Sequence, residues 1–150
     1  LIEVRVALET TAAKRAIRLK RNDGPHLQEL ETIVHDMEAM AARNEVFGFA
    51  TADTDFHRTL CGFSGNTVLC DMWEMLARQM TIIFGLSALG KSMPAIVDEH
   101  RELVRVFRSG KSGDMARAIS DHIDVEIHKV NLEKIIAERR ADAARKANPP

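Results

Sequence analysis

An all-α, antiparallel bundle of about six helices is the fold the sequence predicts, and three observations carry it. Apolar residues recur at spacings of three and four along most of the 150 residues. Turn-forming residues gather at a few short breaks between these segments. Eight Gly, four Pro and no Tyr are too few turn residues and aromatics for a β-sandwich, and no convincing strand is present. The length suits one domain with a sizeable core.

The elements follow in order. Leu1, Val4, Leu8, Ala12 and Ala16 form the apolar face of a first helix, which Asn22-Asp23-Gly24-Pro25 ends. A second helix opens near Pro25, whose fixed φ suits a first helical turn, and buries Leu27, Leu30, Val34, Met37 and Ala41. After a soft break at 44–48, a third carries Phe49, Ala52, Phe56, Leu60 and Phe63. Ser64-Gly65-Asn66 precedes a fourth, with Val68, Leu69, Met72, Met75, Leu76, Met80 and Ile83 as its apolar residues. Its methionines read as gap-filling core. A loop is expected over 85–94. The fifth helix presents Ile96, Val97, Leu103, Val104 and Phe107. A turn over 109–114 follows, with Asp114 placed to cap a sixth helix that begins near Met115 and continues into the 130s. The basic residues of 139–150 read as a frayed, solvated tail.

Composition narrows the function. Charge is balanced, with 21 Lys and Arg against 22 Asp and Glu. A chain that binds nucleic acid on its own usually carries a basic excess. No apolar run approaches the roughly 18 residues that cross a membrane, so no membrane partner is expected. Two cysteines, Cys61 and Cys70, make no disulfide framework and fit a cytoplasmic setting with buried thiols. Residues 85–92 match the phosphate-loop pattern Gly-x4-Gly-Lys-Ser. That loop needs a strand before it and a parallel sheet around it, and a helix end followed by an interhelical loop is the better reading.

The chemistry concentrates in four residues. Asp53 and His57 are four apart, which on a helix places both side chains on one face, one turn apart. Asp55 points away from that face, as does Glu99 on the fifth helix. His100 and His122 flank the 109–114 turn at equal distances, so a helical hairpin brings them level. One carboxylate and three imidazoles suit Zn²⁺, Ni²⁺ or another borderline divalent cation. His26, His35 and His128 have no such arrangement.

The ordered set Glu3-Val4-Arg5-Val6-Ala7-Leu8-Glu9, Asp53-x-x-Phe56-His57, Ser64-Gly65-Asn66, Glu99-His100, Gly113-Asp114 and His122 resembles the C-terminal effector-binding (FCD) domain of GntR-family transcription regulators, FadR subfamily. The resemblance implies one effector-binding unit over residues 1–138 with an internal cavity. Its floor metal is held by Asp53, His57, His100 and His122, and a small carboxylate effector sits on that metal. It also implies that Arg5 lies close to the cavity and that DNA is read by an N-terminal winged helix-turn-helix, which this chain lacks. Arg5 or Arg78 is expected to grip the acid, with Asn66 adding a polar contact. An i,i+4 surface pair between Arg5 and Glu9 is the plainer reading of that arginine. A homodimer is expected, as palindromic operators require. The other readings are a water-activating metalloenzyme, which lacks an evident general base beside the site, and a purely structural metal in a dimerisation module.

Overall fold

The computed structural model describes residues 2–87 and 92–128, and every described element is an α-helix. They are α1 (Ile2–Arg18), α2 (Gly24–Ala42), α3 (Val46–Gly62), α4 (Thr67–Ser87), α5 (Met93–Ser109) and α6 (Ser112–His128). Residues 1, 88–91 and 129–150 lie outside the described residues, and with them part of the expected 85–94 loop, the expected continuation of the sixth helix into the 130s and the predicted basic tail.

Packing closes five helices into a ring. α1 packs on α3, α3 on α2, α2 on α5, α5 on α6, and α6 returns to α1. The fourth helix lies outside, against α3 and α1. Only Gly110 and Lys111 join α5 to α6, so the two run back along one another. Gly110 takes a φ of +69° there, which favours glycine, and its N–H bonds the Phe107 carbonyl. Phe56, Leu30, Met37, Leu60, Phe107 and Ile123 are fully buried inside the ring. Arg15 and Arg21, at the end of α1, donate to the carbonyls of Ser64 at 2.7 Å and Phe63 at 3.0 Å. Cationic donors thereby satisfy carbonyls at the C-terminal end of α3.

Local boundaries differ from the expected ones in instructive ways. The helix α4 runs through Gly85 to Ser87, where a loop was expected to begin, and 81–84 is helical. The first three residues of the phosphate-loop pattern are therefore helix, with no strand before them. The sixth helix starts at Ser112, so Asp114 lies in its first turn and pairs with Arg117 instead of capping it. The fifth opens at Met93, inside the loop expected over 85–94: Ser92 Oγ accepts the Ala95 N–H, and proline follows in the first turn.

Two buried faces are rotated from the apolar stripes read along the chain. On α1 the buried residues are Arg5, Glu9, Ala12, Ala13 and Ala16, while Val4 is exposed. On α4 they are Leu69, Trp73 and Ala77, while Val68, Met72 and Met75 stand in solvent. Those two methionines are surface residues, contrary to their assignment as core filler; Met37 is core. Cys61 is buried and Cys70 half-buried, both as free thiols. No described helix is long and apolar enough to cross a membrane.

Phe56→Ala removes a fully buried ring from the centre of this packing and should cost about 3–5 kcal/mol in denaturant unfolding. Phe47→Ser, at a position 88% exposed, should change stability by less than about 0.5 kcal/mol.

Candidate metal centre

Asp53 and His57 on α3, His100 on α5 and His122 on α6 come together inside the ring, all buried. One ring nitrogen of each histidine lies within 4.8 Å of the others. Phe56 packs edge-on against His100 at 4.7 Å and His57 at 5.4 Å, which fixes both ring planes.

The protonation pattern follows from the partners of the outer nitrogens. His100 Nδ1 lies 2.8 Å from the Ile96 carbonyl, one turn back on its own helix. His57 Nδ1 lies 2.8 Å from Glu9 Oε2, and His122 Nδ1 lies 3.2 Å from Glu99 Oε2. A carbonyl or carboxylate oxygen only accepts, so each Nδ1 carries the proton and donates it. Each Nε2 is then a lone pair aimed inward.

These inward groups have no donors among them. The Nε2 atoms of His57 and His122 are 3.3 Å apart, lone pair to lone pair. His100 Nε2 lies 3.2 Å from Asp53 Oδ1, and neither that nitrogen nor either Asp53 oxygen has a hydrogen-bond partner. Orphaned buried acceptors cost free energy wherever nothing positive faces them. A divalent cation supplies that charge. Two nitrogens each about 2.0–2.1 Å from one ion stand roughly 3.0–3.4 Å apart, so the observed spacing fits a shared ion. The outer carboxylates and carbonyl supply the orienting hydrogen bonds that metal-binding histidines require.

The electrostatics agree. Burial lowers the imidazole of His100 to about 4. It takes His122 well below its ordinary value and lowers His57, with Glu9 opposing the latter. All three are neutral at pH 7, the form that binds metal. Burial pushes the Asp53 carboxyl up against the pull of His57 and Arg5. Burial also favours a neutral Glu9, but Arg5, His57 and Trp73 outweigh it and hold that carboxyl well below the usual carboxylate range.

Glu9, Trp73 and Glu99 also stand around the centre, beyond the residues expected there. Arg5 and Glu9 do pair, at 2.7 Å, but at 3% and 0% side-chain exposure they are no surface pair. Glu9 also accepts the Trp73 indole N–H at 3.0 Å. Glu99, read as pointing elsewhere, faces the site through His122. One signal was present for the first pair: residues 5 and 9 continue the helical stripe of Ala12, Ala13 and Ala16. Among the expected acid contacts, Arg78 is exposed on α4, and Asn66 Oδ1 accepts the Leu69 N–H at 3.2 Å to cap that helix. His35 is exposed, and His26 packs edge-on against Phe63. A groove of about 550 Å³ between α5 and α6, bordered by Arg105, Lys111 and Arg117, reaches Glu99 and His122.

The FCD domain family model matches residues 1–125. The chain belongs to the FCD domain family. A relative from Paenarthrobacter nicotinovorans, named "Probable D-xylose utilization operon transcriptional repressor", is 24% identical over 122 residues. That alignment covers 81% of this chain and 53% of the relative, so the chain spans about half of that protein. The family match takes in all four residues of the FCD domain's buried cluster.

The neutral, buried histidines give the metal-free domain a definite pH dependence. An unfolded histidine titrates near 6.5, and folded His100 near 4. Between these values the unfolded chain binds more protons, so stability is full above about pH 6.5 and falls as pH drops toward 4. The raised carboxyl of Asp53 works the other way, as one group against three. Thermal unfolding in chelator should show a lower Tm at pH 5 than at pH 7. His100→Gln should shrink the difference; an unchanged difference would assign the pH dependence to other groups.

Proposed function

We propose that this FCD domain is the metal-dependent sensing half of a bacterial transcription regulator, binding a small organic acid and passing that event to an N-terminal DNA-binding domain. The observation that carries the metal is the convergence of three Nε2 lone pairs and an unpartnered carboxylate in a buried site. Asp53, His57, His100 and His122 would hold the ion, with Zn²⁺ or Ni²⁺ suited to the donor set. When bound, the ion offers a carboxylate a Lewis-acidic partner.

Support for an acid ligand comes from charge. An anion entering a buried site needs compensating cations. Arg5 is buried, and its charge acts on Asp53 and on each of the three histidines. Arg5 is therefore the contact we assign to the acid, ahead of Arg78 and Asn66. The transcriptional role rests on the family and on the name of the relative. It follows that DNA is contacted only through the other domain and that turnover is no part of the function. A homodimer in the cytoplasm completes the reading; the exposed Val68, Met72 and Met75 on α4 are apolar surface available to such an assembly.

Protein purified without affinity tag or added metal should contain about one divalent ion per chain. His122→Ala should lose it, along with the rise in Tm that added Zn²⁺ produces, whereas His35→Ala should keep both. Calorimetry over a panel of mono-, di- and tricarboxylates should find a ligand whose binding chelator abolishes. Arg5→Met at saturating metal should weaken that ligand roughly 10–100-fold, the worth of a lost charge-assisted hydrogen bond. Metal-independent acid binding would overturn the mechanism, and chemical conversion of a panel member would make the protein an enzyme.

A further inference from the structure

Glu9 joins three helices at a point with no access to water. Its Oε2 accepts His57 Nδ1–H from α3 at 2.8 Å. Its Oε1 accepts Arg5 Nε–H from its own helix at 2.7 Å and Trp73 Nε1–H from α4 at 3.0 Å. Glu9 and Trp73 are 0% and 1% exposed. The other two histidines are anchored differently. His100 leans on a carbonyl of its own helix, and His122 on Glu99, whose side chain is 31% exposed. The anchor of His57 is itself held from a second and a third position.

We propose that Glu9 is the positioning residue of the metal centre: through His57 it sets metal affinity, and through Trp73 it carries metal occupancy to α4. This rests on the metal reading above. The reasoning is electrostatic. Metal on His57 Nε2 withdraws electron density from the ring and makes Nδ1–H a stronger donor. Glu9 Oε2 is then drawn toward His57, and charge on the shared carboxylate shifts away from Oε1. Arg5 and Trp73, both on Oε1, feel that change directly. In a buried network each bond polarises the next. By reciprocity, anything that alters Arg5 or Trp73 must alter the affinity of the metal.

Trp73 is the single tryptophan of the chain, so the emission reports the surroundings of this one indole. The probe is Zn²⁺ alone, a closed-shell ion without redox chemistry, titrated into metal-stripped protein. In the native sequence the emission should change and saturate at one equivalent. Glu9→Gln keeps the shape but turns an amide NH2 toward donors. It should weaken Zn²⁺ roughly 10–100-fold, the usual effect of losing a carboxylate behind a metal-bound histidine. At saturation its emission should no longer follow the metal. In a His57→Ala background, where Asp53, His100 and His122 remain, adding Glu9→Gln should change Zn²⁺ affinity less than about twofold, because Glu9 acts through His57.

Equal losses in both backgrounds would reduce Glu9 to a scaffold residue and overturn the proposal. So would native affinity in Glu9→Gln, native emission that ignores Zn²⁺, or Glu9→Gln emission that still follows it. If the native protein binds no Zn²⁺ the metal reading itself fails; if it binds and Glu9→Gln does not differ, only this proposal fails. Should Glu9→Gln not fold, because Arg5 is left buried without its counter-charge, Arg5→Met/Glu9→Gln removes both charges and is read by the same criteria.

Discussion

Four electron-pair donors face one another in the middle of the helical ring, and much of the domain is arranged around that fact. Asp53, His57, His100 and His122 bring no hydrogen to the space they share, because every histidine proton is engaged on the outer side. Burial then acts in one direction on all three imidazoles and keeps them neutral. An apolar core of the same size would be easier to build. A cation placed at the centre turns the same repulsion into a tie between α3, α5 and α6.

The cost of the arrangement is visible in α1 and α4, two helices that contribute nothing to this cluster. The first turns Arg5 and Glu9 inward and leaves Val4 in solvent; the fourth turns Trp73 inward and leaves Met72 and Met75 outside. Both rotations serve the same carboxylate. Glu9 needs three donors to remain ionised without water, and Arg5, His57 and Trp73 are those donors. A buried network of this kind persists only when its members are satisfied together. The orientation of α1 and α4 is therefore coupled to the ligand geometry on α3.

The balanced charge of the chain now has a structural sense. Among the described residues several exposed arginines pair with carboxylates: Arg58 with Asp55 and Glu74, Arg101 with Asp98 and Glu38, Arg105 with Glu102. Such a surface is mixed in sign, and pairs of this kind contribute little stability individually. The strong electrostatics are inside.

What the sequence determined by itself was the part governed by spacing along one helix or across one short turn. Six helices, the Asp53/His57 pair and the levelling of His100 with His122 were all legible, because i,i+4 geometry and a tight hairpin leave few alternatives. Glu9, Trp73 and Glu99 were not, because each acts across helices that no local pattern relates. Hydrophobicity also pointed the wrong way on α1, where the stripe containing Val4 is more apolar than the face that buries Arg5 and Glu9; on α4 the buried Leu69, Trp73 and Ala77 are themselves apolar. Only the tertiary structure decides that a buried ion on α1 needs its partners more than Val4 needs shelter. Leaving that side chain in water costs about 1.5–3 kcal/mol at most, whereas an uncompensated charge in the core costs several kcal/mol.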